Sequence, residues 1–206
     1  MQVCRALLTR NSRGQRKSLI SPSYWQLQTA TRWIRAGGVI AYPTEAVFGL
    51  GCDPANRNAV QRLLGLKNRC WRKGLILVAS ERRQLEPWLE KICDSWSSQL
   101  DESWPGPTTW LIPAARDCPD WLSGEHLTLA VRVSAHPVVR QLCDRLDGAI
   151  VSTSANTSGQ RPARSVLDIR LKFGSRIDFV LPGSLGGQRQ PTEIRDLASG
   201  QFIRKH

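Results

Sequence analysis

The sequence is short of most features that would classify it at a glance. No apolar run in its 206 residues approaches the roughly 20 that a membrane-spanning helix needs. The N-terminus also lacks the compact apolar stretch of a secretory signal. Together these absences predict a cytoplasmic chain. The six cysteines (Cys4, Cys52, Cys70, Cys93, Cys118, Cys143) never form a C-x-x-C pair. Reduced thiols are therefore expected rather than a zinc knuckle or a redox dithiol. Histidine occurs three times, at His126, His136 and His206. None stands beside a partner motif, so no metal site or Ser-His-Asp triad is indicated. The Walker lysine loop and the G-x-G-x-x-G fingerprint are missing too, which withdraws support from the common nucleotide folds. Acidic residues are absent until Glu45.

Basic residues are plentiful. Lys and Arg number 29 against 17 Asp and Glu, a formal net charge of +12. Such an excess suits polyanionic partners, either nucleotides or nucleic acid. With 41% hydrophobic and 22% charged residues, the composition is that of a globular protein with one good-sized core. Residues 1–22 carry Arg5, Arg10, Arg13, Arg16 and Lys17 with little hydrophobic periodicity. They read as a poorly ordered basic extension, and 23–206 as a single folded domain.

Within that domain, strand-like and helix-like patterns alternate. Leu27, Ala30, Trp33 and Ile34 recur at helical spacing, and Gly37-Gly38 offers a C-cap. Val39–Tyr42 reads as a buried strand halted by Pro43. Val60, Leu63 and Leu64 mark a second helix, followed by a basic loop from Lys67 to Lys73. Leu75–Ala79 is the clearest buried strand. Two short helices are expected around Leu85–Leu89 and Ile92–Leu100, then strands at Trp110–Ile112 and Leu127–Val133. Pro137 can open a helix reaching about Leu146. Ala149–Val151 is strand-like and leads into a Ser-rich turn. Ser165 is placed to cap a helix carrying Val166, Ile169 and Phe173. A Gly-rich loop, 183–187, precedes two last strands near Glu193–Leu197 and Phe202–Ile203. This order predicts one α/β domain with a mixed sheet.

Three segments could carry chemistry. Lys67-Asn68-Arg69 with Arg72 and Lys73 packs four cations into seven residues beside a buried strand. It is either a solvated loop or a phosphate site in which Arg supplies a donor fork and Lys a point charge. Val151–Gly159 is a dense set of hydroxyls and one amide after a strand, placed where α/β sheets bind ligands, or else simply satisfying turn backbone. Tyr42–Gly51 ends a strand at proline, adds a hydroxyl and a carboxyl, and holds two glycines.

Taken together, these segments resemble a known family. Pro43-Thr44-Glu45 with Phe48-Gly49-Leu50-Gly51, the Lys67-x-Arg69 pair, and Trp104-Pro105-Gly106-Pro107 follow in its order. So do Ala130-Val131-Arg132-Val133, Ser154-x-Asn156, and Pro191-Thr192-Glu193-Ile194-Arg195-Asp196. This is the pattern of the YrdC-type threonylcarbamoyl-AMP synthases in their short bacterial form, running from about Leu27 to the C-terminus. Lys73-Gly74-Leu75 stands where many relatives have Lys-Pro-Leu, Cys70-Trp71 replaces a proline-led stretch, and Ala46 stands where a second threonine is frequent.

The resemblance implies a twisted mixed parallel/antiparallel sheet with flanking helices around a basic concave cavity. It implies conversion of L-threonine, bicarbonate and ATP to threonylcarbamoyl-AMP and pyrophosphate, feeding the modification of A37 in tRNAs that read ANN codons. By the same resemblance, Lys67 and Arg69 would be catalytic. They would bind ATP with Lys73, Thr128, Ser154, Asn156 and Arg204. Thr44, Arg132, Ser152 and Thr192 would hold threonine. Magnesium would arrive with ATP, without a protein metal site of its own. The motifs contain no evident general base. Implied partners are tRNA or double-stranded RNA and the other proteins of threonylcarbamoyl transfer. The competing reading from the charge is an RNA-binding or ribosome-maturation protein without catalysis.

Overall fold

A computed structural model describes residues 21–188, 190 and 192–204. The expected basic extension, 1–22, lies outside these residues except for its last two. Helix α1 (Tyr24–Arg35) opens with a capping box. The Ser23 hydroxyl accepts from the Gln26 amide, and the Gln26 side chain accepts from the Ser23 amide. The helix stops where Gly37 turns to φ 79°. Strand β1 (Ile40–Pro43) keeps Pro43 as its last residue rather than ending before it. It pairs antiparallel with β2 (Phe48–Gly51). That second strand was not among the strands expected from the sequence. Its glycines are packing requirements: a Cβ on Gly51 would lie 2.6 Å from the Val151 carbonyl oxygen.

Helix α2 (Arg57–Lys67) is capped by Asn56 and closed by Asn68 at φ 48°, so Lys67 ends a helix instead of starting a loop. After β3 (Ile76–Ala79), the expected helix at Leu85–Leu89 is two 3₁₀ turns, Arg82–Gln84 and Glu86–Trp88. Pro87 accounts for this, because it cannot donate to a continuing helix. Then come α3 (Asp94–Ser103), β4 (Thr108–Pro113), the single-turn α4 (Asp120–Ser123), β5 (Thr128–Val133), and α5 (Pro137–Leu146) with Pro137 in its first turn. Strand β6 (Ile150–Ser154) extends through Ser152, Thr153 and Ser154, which the sequence placed in a turn. The chain continues through α6 (Val166–Phe173), β7 (Phe179–Val180), β8 (Glu193–Asp196) and β9 (Phe202–Arg204).

The strands form one nine-stranded sheet in the order β7-β1-β2-β6-β3-β5-β4-β8-β9. The pairs β1/β7, β3/β5 and β4/β8 are parallel and the others antiparallel, which gives the mixed sheet expected. Because successive strand residues point to opposite faces, one register row serves each face. Val151, Leu77, Val131 and Trp110 pair across β6, β3, β5 and β4, and all four belong to the main core, shared with α2 and α6. On the other face, Ile40, Tyr42, Val78 and Ile150 pack under α1 and α5 through Leu27, Ile34, Val138, Val139 and Leu142. Each fully buried aliphatic side chain there stabilises the fold by roughly 1.5–3 kcal/mol. The helix pair covers that second face over Ile40, Tyr42, Val78 and Ile150. From Ser152 and Ile76 toward β9, the same face lines a cavity.

Candidate functional site

The uncovered part of the sheet is the floor of a cavity of about 410 Å³. Ser152, Ile76, Ala130 and Leu111 form a register row across β6, β3, β5 and β4, and all line it. A second row, Thr109, Ile194 and Arg204, continues across β4, β8 and β9. The walls come from loops: Thr44–Val47 between β1 and β2, and Arg69 with Lys73-Gly74 between α2 and β3.

Charge in the cavity is lopsided. Arg69, Lys73, Arg132 and Arg204 line it, and Glu45 is the one carboxylate among the described lining residues. Burial lowers the pKa of the Arg204 guanidinium, and the nearby Arg132 and Arg69 charges lower it further. The Arg69 guanidinium is lowered by burial as well. Arg69 donates to the Gly74 carbonyl at 2.9 Å, while its buried Nε has no hydrogen bond. Arg204 donates to the Thr192 carbonyl at 2.8 Å. Both contacts are to neutral carbonyls, so they fix the two guanidiniums without neutralising their charge.

The hydroxyls are aimed by their neighbours. Tyr42 donates to the Ser152 hydroxyl at 2.8 Å, which leaves that oxygen's proton for another acceptor. The Tyr42 phenol is fully buried, and burial raises its pKa, so it stays a donor. Thr44 donates to the Val47 carbonyl at 2.7 Å, closing its own loop. Thr109 and Thr192 lie 3.3 Å apart between β4 and the segment entering β8.

Of the residues expected at the site, Thr44, Arg69, Lys73, Thr128, Arg132, Ser152, Ser154, Thr192 and Arg204 all line the cavity. Lys67 and Asn156 do not. The Lys67 ammonium donates backward to the Ser154 and Asn156 carbonyls, and its side chain is buried. Burial, with the nearby Arg69 charge, pulls its pKa down to about 8. Asn156 accepts from Ser154 Oγ at 2.6 Å and donates to the Thr157 and Gln160 carbonyls. Both residues therefore brace the end of β6 from behind. Sequence reasoning gave no role to Glu45, His126 or Thr109, which also line the cavity. Glu45 was quoted within a motif, but burial of its carboxylate is a tertiary property that no spacing announces.

Comparison with known proteins agrees with this architecture. The family model Sua5/YciO/YrdC, described as telomere recombination, matches residues 32–206. A protein of Halorhodospira halophila named threonylcarbamoyl-AMP synthase is 54% identical over 181 residues, covering 88% of this chain and 95% of that one. One of the same name from Nitrosococcus oceani is 52% identical, covering 87% and 97%. Among solved structures, P. abyssi Sua5 complexed with L-threonine superposes with a TM-score of 0.82 at 29% identity. It covers 88% of this chain, which spans only 54% of that longer protein. E. coli YciO shares the fold, with a TM-score of 0.79 at 24% identity, covering 90% and 91%. With a family match over residues 32–206, and relatives half identical over nearly their full length, the chain belongs to the Sua5/YciO/YrdC family.

Proposed function

We propose that this protein is an L-threonylcarbamoyladenylate synthase, a nucleotidyltransferase that makes threonylcarbamoyl-AMP and pyrophosphate from L-threonine, bicarbonate and ATP. The observation that carries the reading is the convergence of four cationic side chains on one enclosed sheet face, in a chain half identical to proteins bearing that name. The cavity volume falls within the roughly 300–1,000 Å³ of small-molecule sites. Attack of a carbamate on the α-phosphate brings anion to anion, and a site preorganised with positive charge lowers that barrier.

Arg69, Lys73 and Arg204 neutralise the phosphates, and Thr128 and Ser154 hydrogen-bond the nucleotide. Arg132 pairs with the threonine carboxylate, with Thr44, Ser152 and Thr192 around it. Lys67 supports these groups by donating to the Ser154 and Asn156 carbonyls, and Asn156 by accepting from the Ser154 hydroxyl. The protein's own atoms fit a magnesium cage poorly. Glu45, the one lining carboxylate described, already engages Ser134 and Arg132. Magnesium accordingly travels on the ATP phosphates, and no protein step depends on it. The product is consumed by other proteins acting on tRNA in the cytoplasm. No helix among the described residues is long and apolar enough to cross a membrane.

The test is pyrophosphate release from ATP by purified protein. Release that requires both L-threonine and bicarbonate, together with the mass of threonylcarbamoyl-AMP, is the expected result. A folded protein that releases none under any combination would refute the reading.

A further inference from the structure

Between β7 and β8 the chain runs alongside the Thr44–Val47 wall as a strap. The Gly186 amide donates to the Thr44 carbonyl at 3.0 Å, and the Gln188 amide to the Glu45 carbonyl at 3.0 Å. The fit is close: a Cβ on Gly186 would lie 2.9 Å from the Glu45 Cα and 3.2 Å from the His136 ring. His136 ties this strap to the rest of the fold. It is buried, it caps the N-terminus of α5, and it does not line the cavity itself. Its Nδ1 lies 3.3 Å from the Val138 amide nitrogen, and its Nε2 lies 3.2 Å from the Ser184 carbonyl oxygen.

Those two partners fix the state of the ring. A backbone amide only donates and a carbonyl only accepts, so Nδ1 is bare and Nε2 carries the proton. A second proton would sit on Nδ1, facing the Val138 N–H in the first turn of α5, where the helix dipole also opposes it. Burial is the main force keeping the imidazole neutral. The Glu45 charge opposes that effect, the Ser184 contact does too, and the Arg132 charge adds to it. We propose that His136 is a positioning residue for the amino-acid substrate. By holding Ser184 it seats the strap whose amides fix Thr44 and Glu45, and it thereby shapes the wall that meets threonine. Arg69, Lys73 and Arg204 stand on other elements, so the phosphate end of the cavity is untouched by this latch. The inference rests on the synthase reading above and adds to it a residue that acts from outside the cavity.

The experiment is calorimetric titration, without turnover, of L-threonine and separately of ATP into wild type, His136→Asn and His136→Ala. Asparagine is a good N-cap but has no atom at the Nε2 position, whereas alanine supplies neither cap nor latch. Both variants are expected to bind threonine about five- to tenfold more weakly, the effect of one lost hydrogen bond, with ATP affinity within about twofold of wild type. His136→Ala is expected to melt below His136→Asn because it also loses the cap, so threonine affinity and stability come apart. In wild-type protein, threonine affinity is expected to fall as pH is lowered through and below about 6.5, where imidazolium begins to form, and in His136→Asn to stay flat. Unchanged threonine affinity in both variants, affinity that merely follows melting temperature, or equal losses of ATP and threonine would overturn the proposal. So would an acid-side loss that is absent from wild type or that persists in His136→Asn. Wild-type protein that binds ATP but no threonine at any pH would instead bring down the synthase reading, so the two failures are distinguishable.

Discussion

Arg69 and Lys67 stand two positions apart in one motif, yet the helix end between them sends their charges in different directions. Arg69 faces the cavity with an unpaired Nε, and Lys67 faces two backbone carbonyls behind it. Arg69→Ala is therefore expected to cut turnover by about tenfold or more while leaving the melting temperature nearly unchanged, because the lost interaction is with developing negative charge. Paired steady-state and thermal measurements would check this. Lys67 predicts a different signature. Its pKa falls from 10.5 in an unfolded chain to about 8 here. Between those values the unfolded chain binds the extra proton, so this group's contribution to stability rises with pH through that window and is lost below it. Lys67→Met should remove that rise, which is measurable by comparing melting temperatures of the two proteins at pH 7.5 to 10. Sequence spacing identified both residues but not their division of labour. That division depends on Asn68 taking a left-handed conformation that closes α2.

At the scale of elements, the legible parts were those whose pattern is local. The helix opened by Pro137 and the Ser165 cap were readable because capping and apolar periodicity operate within one or two turns. Strand β2 was not. Its Phe48-Gly49-Leu50-Gly51 lacks strand propensity, and it becomes a strand because β1 and β6 leave room for backbone alone between them. Gly51→Ala tests that account. The added methyl would meet the Val151 carbonyl at 2.6 Å and the Tyr42 ring at 2.8 Å. It is expected to cost about 1–3 kcal/mol in urea unfolding, with the overpacking felt by the whole sheet. Ser152–Ser154 was misread as a turn for a related reason. Short polar residues look like loop, but here they are cavity-lining positions of a strand.

For the molecule as a whole, the net charge of +12 has a structural counterpart in the cavity, where four cations face one carboxylate. ATP affinity should weaken as salt is raised from about 0.05 to about 0.5 M, because added ions screen the attraction between the phosphates and these groups. Arg204→Ala should flatten that dependence, and titrations at several ionic strengths would show whether it does. The composition announced an anionic ligand. It could not announce where the ligand sits, since that requires β9 to lie beside β8 and carry Arg204 onto the second floor row. The alternating rows of β3 to β6 have one more consequence, for how such a protein can change over evolutionary time. Along a strand such as Leu129-Ala130-Val131-Arg132, odd residues sit in the main core and even ones line the cavity. Drift at the even positions can reshape what is bound while the odd ones are left alone, so ligand choice and foldability are inherited as nearly separate traits carried on the same strands.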